Sequence, residues 1–391
     1  MKLNIVILFY VVSLYTTTTV YAQSTVRVGA EQFDLYLPHI QDKKVGMVVN
    51  HTAVVGSTHL VDTLLTKGVQ IKGIYAPEHG YKGNVERGKT VATVKDTATG
   101  ITIYSIYGSK KKPSPEVLKE VEMLIFDMQD VGVRFFTYIS TLHYIMEACA
   151  ENNLPLLLLD RPNPIGYYVD GPILDTAFKS FIGMHTIPIA HGMTIGEYAQ
   201  MINGEGWLKN GVKCKLEVIK VANYTHRTLY EVPVHPSPNL PDMKSIYLYP
   251  SICLFEGTQV SEGRGTFKPF QQFGTPTYTP QKHSFVPKDI PALSINPKYE
   301  GKTCYGYDLS GMSLTQLQEI KGINLQYLLE FYKKAADKEK FFQKSFDQLA
   351  GSDMLRKQII AGRTEKEIKD SWKPGLDKFK EVRKKYLLYK D

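Results

Sequence analysis

An α/β architecture, a Rossmann-like parallel sheet domain followed by a smaller α+β carboxy-terminal domain, is predicted by three features of the sequence. Short apolar runs alternate with helix-like stretches between Lys44 and Asp160. Those runs lack polar alternation, as strands covered on both faces do. Glycine or proline marks several of the joints, which separates the runs into elements.

In chain order, KVGMVV reads as a strand running into a loop at Asn50, and THLVDTLLTKG as a helix stopped by Gly68. VQIKGI is a strand that leads into YAPEHGYKG, PSPEVLKEVE a helix opened by proline, and MLIFDMQD a strand then a loop. STLHYIMEACAENN follows as a helix and LPLLLLDRPNP as strand then loop, on the periods of 3.6 for helices and short apolar runs for buried strands. Further on, HGMTIGEYAQMINGEGW reads as loop and helix, Val212 to Val221 as an alternating strand, and VPVHPSPNLPDMKSIYLYPS as a connector or a wall of a cleft. The end of the chain is strand-like around PALSINPKYEGKTCYGYDLS and then mainly helical. The domains are expected over 23–250 and 251–391, after an amino-terminal signal.

That signal is expected over residues 1–22. MKLNIVILFYVVSLYTTTTVYAQS puts Lys2 before an apolar run from Leu3 to Leu14 and ends in Val20-Tyr21-Ala22, the layout of a cleavable export sequence. The run is shorter than the roughly 20 residues that span a bilayer, so an exported, periplasmic chain without stable membrane insertion is expected. The four cysteines, Cys149, Cys214, Cys253 and Cys304, are irregularly spaced and form no CxxC pair, so neither a zinc site nor a disulfide framework is signalled. Cys149 reads as a buried core thiol.

The formal charge of +8 is concentrated after Phe331, where 17 basic residues accompany 10 acidic ones. They interleave in helix-like segments such as TEKEIKDSW, the pattern of solvated helix faces, so no nucleic-acid partner is expected. No GxGxxG opens any helix, which leaves the Rossmann-like layout without a dinucleotide fingerprint.

Ligands of such sheets bind beyond the carboxyl ends of the strands. There the sequence delivers Asn50, Glu78 with His79, Asp127 with Asp130, and Asp160 with Arg161. Convergence of polar residues from four strand ends marks that edge as the expected site. His79, His185 and His191 raise the question of a metal, but their spacing has neither HExxH nor a comparable signature. No metal or cofactor is expected, and His79 and His191 read as hydrogen-bonding groups beside the substrate. No GxSxG elbow supports a nucleophilic serine.

YAPEHGYKG, IFDMQDVGVRFFTYISTLHYIMEA, LLDRPNPIG, FIGMHTIPIAHGMTIGEYA, PSPNLP and LFEGTQVSEGRGT together resemble the exo-β-N-acetylmuramidases of the NamZ type. The resemblance covers most of the chain in long, unusual strings. It implies two domains with the site in a cleft between them, and release of N-acetylmuramic acid from the non-reducing end of peptidoglycan fragments. Glu78 matches the glutamate of the family's EHG motif and is the position the resemblance makes catalytic.

Glycoside hydrolysis needs an acid for the leaving oxygen and a second group that activates water, acts as nucleophile or stabilises positive charge. A carboxyl in a partly buried loop suits the first role, and Glu78 is the candidate; the alternative is a glutamate that caps or holds a turn. For the second role Glu256 and Glu262 stand on FEGTQVSEGRG, Asp127 and Asp130 lie at a neighbouring strand end, and the substrate's own acetamido group is a further option. A site selective for N-acetylmuramic acid should offer a cation to the lactyl carboxylate. Arg134, Arg161 and Arg264 have the geometry for it, or for structural ion pairs. Tyr75, Phe135, Tyr138 and Phe267 can stack on sugar faces or pack in the core. The competing function is a non-catalytic binding protein for the same muropeptide sugars.

Overall fold

Seven strands form the main sheet: β1 (Lys44–Val49), β2 (Gln70–Ala76), β3 (Val94–Lys95), β4 (Thr102–Ser105), β5 (Met123–Asp127), β6 (Pro155–Leu159) and β7 (Lys215–Ile219). In this computed structural model, which describes residues 25–83, 93–279 and 282–391, their order is β3-β4-β2-β1-β5-β6-β7. The expected signal over residues 1–22 lies outside the described residues. All neighbours pair in parallel except β3, which runs antiparallel to β4 at one edge. The unalternated runs are explained by position: in β1 every residue after Lys44 is buried, and so is all of β5. Outermost β7 keeps Lys215 and Glu217 exposed, which is why its sequence alternates.

Helices α1 (Phe33–Ile40), α2 (Leu60–Thr66), α3 (Tyr138–Glu151) and α4 (Ile195–Gly204) flank this sheet. Thr194 caps α4 by accepting from the Glu197 N–H, while Glu197 accepts from the Thr194 N–H. Three expectations change: MKSIYLYPS, read as part of a connector, forms the helix Met243–Ile252, and two more concern this sheet. PSPEVLKEVE makes only the single turn Pro115–Leu118, because the Glu122 N–H already bonds the Lys44 carbonyl at the start of β1 and the chain is drawn into the sheet. ITIYS, not read as an element, forms β4 after a tight turn in which Asp96 accepts from Thr99.

Beyond α5 (Met243–Ile252) a small antiparallel sheet follows, with β8 (Gln272–Thr275), β9 (Ser284–Phe285) and β10 (Cys304–Asp308) in the order β8-β10-β9. The basic end of the chain folds mainly into helices, among them α6 (Gln326–Lys333) and the long α7 (Glu365–Lys384). Ile368, Trp372, Leu376 and Phe379 bury one face of α7, and Lys366 pairs with Asp370 one turn on. One continuous apolar core runs from Leu124 and Phe126 through α3 and α5 to Phe255, Phe273, Phe331 and Trp372. The amino-terminal and carboxy-terminal parts therefore share a floor, and the cleft between their loops is built on packed side chains. All four cysteines are buried free thiols. Among the described residues no helix is long and apolar enough to cross a membrane.

Candidate active site

From β1 the chain moves to β2 on one side, and from β5 to β6 on the other, so the β1–β5 gap is a topological switch point at the carboxyl edge. Next to it, β2 ends at Ala76 and Glu78 follows two residues later. His79 (φ 68°) and Gly80 (φ 73°) are consecutive left-handed residues. A non-glycine residue holds that conformation only where its surroundings offset the strain, so the EHG turn is a built feature that sets where Glu78 points.

The Glu78 carboxyl is gripped by two hydroxyls from different elements. Tyr107, in the loop after β4, donates to Oε1 at 2.8 Å, and Thr137 donates to Oε2 at 3.1 Å. Thr137 is the N-cap of α3, yet its side chain makes no bond to that helix. The carboxyl therefore lies at the positive end of a 14-residue helix dipole. His79 is buried, with Nε2 3.4 Å from Ser237 Oγ. Around Glu78 a chamber is lined by the aromatic residues Phe135, Phe136, Tyr138, Phe181 and Tyr249, and also by Glu256 and Arg264.

Glu256 and Arg264 also line an adjoining cavity of about 460 Å³, walled by Leu293 to Lys298 and including Glu262. Glu256 lies in the single turn after α5 and accepts from Arg264 Nη2 at 2.7 Å. Arg264 Nε lies 3.3 Å from Glu262 Oε1, and Lys298 Nζ 3.4 Å from Glu262 Oε2. Lys298 also donates to the carbonyls of Phe255, Thr258 and Val260, so its charge is committed to the wall. Arg264 thus stands where the two chambers meet.

Several expected site residues are placed elsewhere. Asp127 and Arg161 are buried against each other in a two-point ion pair, and Arg161 also donates to the Val54 carbonyl. Asp160 accepts from the Arg161 and Gly196 N–H groups and from the Thr194 and Tyr389 hydroxyls, which ties the end of the chain to the sheet. Arg134 is fully buried and donates to the carbonyls of Pro172, Ile187, Leu349 and Ala350. Neither Arg134 nor Arg161 lines the chambers. The substrate roles expected for both are corrected to structural ones, because every direction in which these guanidinium groups point is occupied by protein. Asn50 is buried too, its Oδ1 accepting from the Thr52 N–H and hydroxyl. Tyr75 donates to the Val117 carbonyl and stacks on Tyr104, away from Glu78, and Phe267 is 82% exposed.

Asp130 and His191 form a buried pair at 3.7 Å beneath the site, outside the lining of either chamber. Burial holds the His191 imidazole down to about 3 and pushes the Asp130 carboxyl from 3.8 up to about 7, against the Gly132 and Val131 N–H groups that lower it. An acid whose folded pKa is raised holds its proton more tightly when folded, so this group makes stability fall as pH rises between about 4 and about 7. Asp130→Asn is expected to flatten that slope, leaving the part that Asp160, also raised to about 7 by burial, contributes in the same window; urea midpoints at pH 5 and pH 8 check it, and an unchanged slope in the variant contradicts it.

Tyr107, Thr137, Ser237 and Asn239 were not singled out from the sequence as site residues. The PSPNLP loop was legible as a cleft wall, and Ser237 and Asn239 do line the Glu78 chamber. Tyr107 carries no local sign, because the short strand before it, ITIYS, is marked by no clear sequence pattern.

Residues 45–244 match the family described as exo-beta-N-acetylmuramidase NamZ, N-terminal, and residues 247–389 its C-terminal counterpart. The peptidoglycan beta-N-acetylmuramidase NamZ of Bacillus subtilis (strain 168) is 37% identical in an alignment of 373 residues that covers 90% of this chain and 89% of that protein. Two DUF1343 family proteins from Bacteroides fragilis NCTC 9343 have similar crystal structures. One is 47% identical with a TM-score of 0.87, covering 94% of this chain and all of its own. The other is 31% identical with a TM-score of 0.75, covering 93% and 99%. With both halves matched and a relative this similar along nearly its whole length, the chain belongs to the NamZ family of exo-β-N-acetylmuramidases.

Proposed function

We propose that this protein is an exo-acting β-N-acetylmuramidase that releases N-acetylmuramic acid from the non-reducing end of peptidoglycan fragments outside the cytoplasmic membrane, with Glu78 as general acid. The observation that supports the reading is that Glu78, on its left-handed turn, and the Glu256–Arg264 pair line one aromatic chamber. Glu78 gives its proton to the glycosidic oxygen as the bond from that oxygen to the anomeric carbon breaks. Positive charge grows on the ring, and water adds to the anomeric carbon while losing a proton to Glu256. Arg264, bonded to Glu256, favours the carboxylate form that this step needs. Glu262 fits a supporting role better, since it lines only the larger cavity and is held by Arg264 and Lys298.

Arg264 is also the cation of choice for the lactyl carboxylate, since Arg134 and Arg161 are spent in the interior. A guanidinium uses part of its fork on Glu256 and keeps further N–H groups for a second carboxylate. Arg264→Lys keeps the charge and loses the fork. The preference for muramic over glucosamine substrates, taken as a ratio of kcat/KM values, is expected to fall by about tenfold or more. An undiminished ratio would contradict this role.

The direct test is release of chromophore from a β-linked N-acetylmuramic acid aryl glycoside beside its N-acetylglucosamine counterpart. Hydrolysis of the first alone supports the reading. Tight binding of the free sugar without hydrolysis of either would leave the competing binding-protein function.

A further inference from the structure

Asn239 is a polar wall residue whose orientation the surroundings fix. It lines the Glu78 chamber and is 2% exposed. Its Nδ2 donates to the Leu293 carbonyl at 3.1 Å, on the segment that walls the larger cavity. A carbonyl only accepts, so the amide cannot be flipped, and its Oδ1 is an acceptor. The Asn239 N–H donates to Ser237 Oγ, which is also in contact with His79 Nε2. With the side chain anchored through these contacts, Oδ1 is buried and has no hydrogen-bond partner. A buried acceptor without a donor costs free energy, and unfilled ones are few in native proteins.

We propose that Asn239 Oδ1 accepts the 2-acetamido N–H of the sugar held against Glu78, and so makes Asn239 a specificity residue for N-acetylated substrates. This rests on the muramidase reading above. The match is one of obligate roles. The lactyl carboxylate and the acetyl carbonyl of N-acetylmuramic acid only accept, and its hydroxyls can do either. Its acetamido N–H only donates, so it needs an acceptor in the wall. A carboxylate there would also accept, but it would add a second negative charge beside the Glu256 carboxylate against an anionic sugar. A neutral amide oxygen supplies the acceptor without that repulsion.

The test compares binding of the methyl β-glycoside of N-acetylmuramic acid with its 2-acetoxy analogue, in which an ester oxygen replaces the N–H. Calorimetric titrations use Glu78→Gln, alone and combined with Asn239→Ala. In Glu78→Gln the analogue is expected to bind about tenfold more weakly, the usual loss when a buried acceptor goes unfilled. With Asn239→Ala added, the two sugars are expected to bind equally. Loss of the Leu293 tie affects both sugars alike and cancels in the comparison. An analogue penalty of the same size with and without Asn239 overturns the inference, as does the absence of any penalty in Glu78→Gln alone. Wild-type hydrolysis of the aryl glycoside, run in parallel, separates the two levels. If it persists while the penalty is misplaced, only the role of Asn239 falls; if the protein neither hydrolyses nor binds muramic glycosides, the muramidase reading falls with it.

Discussion

Glu78→Gln is expected to lower kcat on a muramic acid–glucosamine disaccharide by about 10³-fold, within the range that a positioned general acid supplies. Affinity for the released sugar should change by no more than about twofold, since an interaction made only in the transition state lowers kcat without weakening ground-state binding. Glutamine has the shape of the glutamate it replaces. Its Oε1 can still accept from one of Tyr107 and Thr137, and the other hydroxyl can turn to accept from the new amide. The turn at His79 and Gly80 is then undisturbed, and the loss reports chemistry and not misfolding. Steady-state kinetics with calorimetry on the same preparation checks it. A rate within tenfold of wild type would reduce Glu78 to a turn-holding residue.

Asp127→Ala should destabilise the fold by about 3–5 kcal/mol, the loss typical when one partner of a buried ion pair is removed. Both carboxylate oxygens meet Arg161, and neither residue has solvent within reach. Truncation leaves the guanidinium buried with only the Val54 carbonyl among its described partners. Denaturant unfolding gives the stability directly. Replacing both residues together by apolar ones should recover most of the loss, because the desolvation cost disappears with the charges. Had Asp127 been the second catalytic group, truncation would instead lower kcat and leave the urea midpoint nearly unchanged. That outcome would contradict its structural assignment.

The strands and their carboxyl edge were legible because burial on both faces writes itself as unalternated apolar sequence, as in KVGMVV and MLIFD. Glu78 is a candidate through its motif, and its position two residues after β2 agrees with the expected strand end. What the sequence does not encode locally is direction. Asp127, Asp130, Asp160 and Arg161 all leave the carboxyl edge as expected, yet they turn into the interior, where Arg161, Gly132, Thr194 and Tyr389 take them up. Apart from Gly132, two residues from Asp130, those partners lie 34 to 229 residues away, beyond any local pattern. Arg134 shows the same limit: the carbonyls of Leu349 and Ala350 that bind it come from the far end of the chain. Glu256 and Arg264 are candidates that the sequence offers on one glycine-rich stretch, and both line the same chamber as Glu78.

The measurement closest to the central claim, that Glu78 delivers a proton to the leaving oxygen, is the dependence of its loss on the leaving group. Rates of Glu78→Gln relative to wild type should be compared on the natural disaccharide and on a nitrophenyl β-glycoside of N-acetylmuramic acid. A nitrophenolate departs without a proton, whereas a sugar alkoxide does not. General-acid catalysis therefore predicts a loss of about 10³-fold on the disaccharide and at least tenfold less on the nitrophenyl glycoside. Equal losses on both would contradict the acid role and move Glu78 to the side of the reaction that handles water.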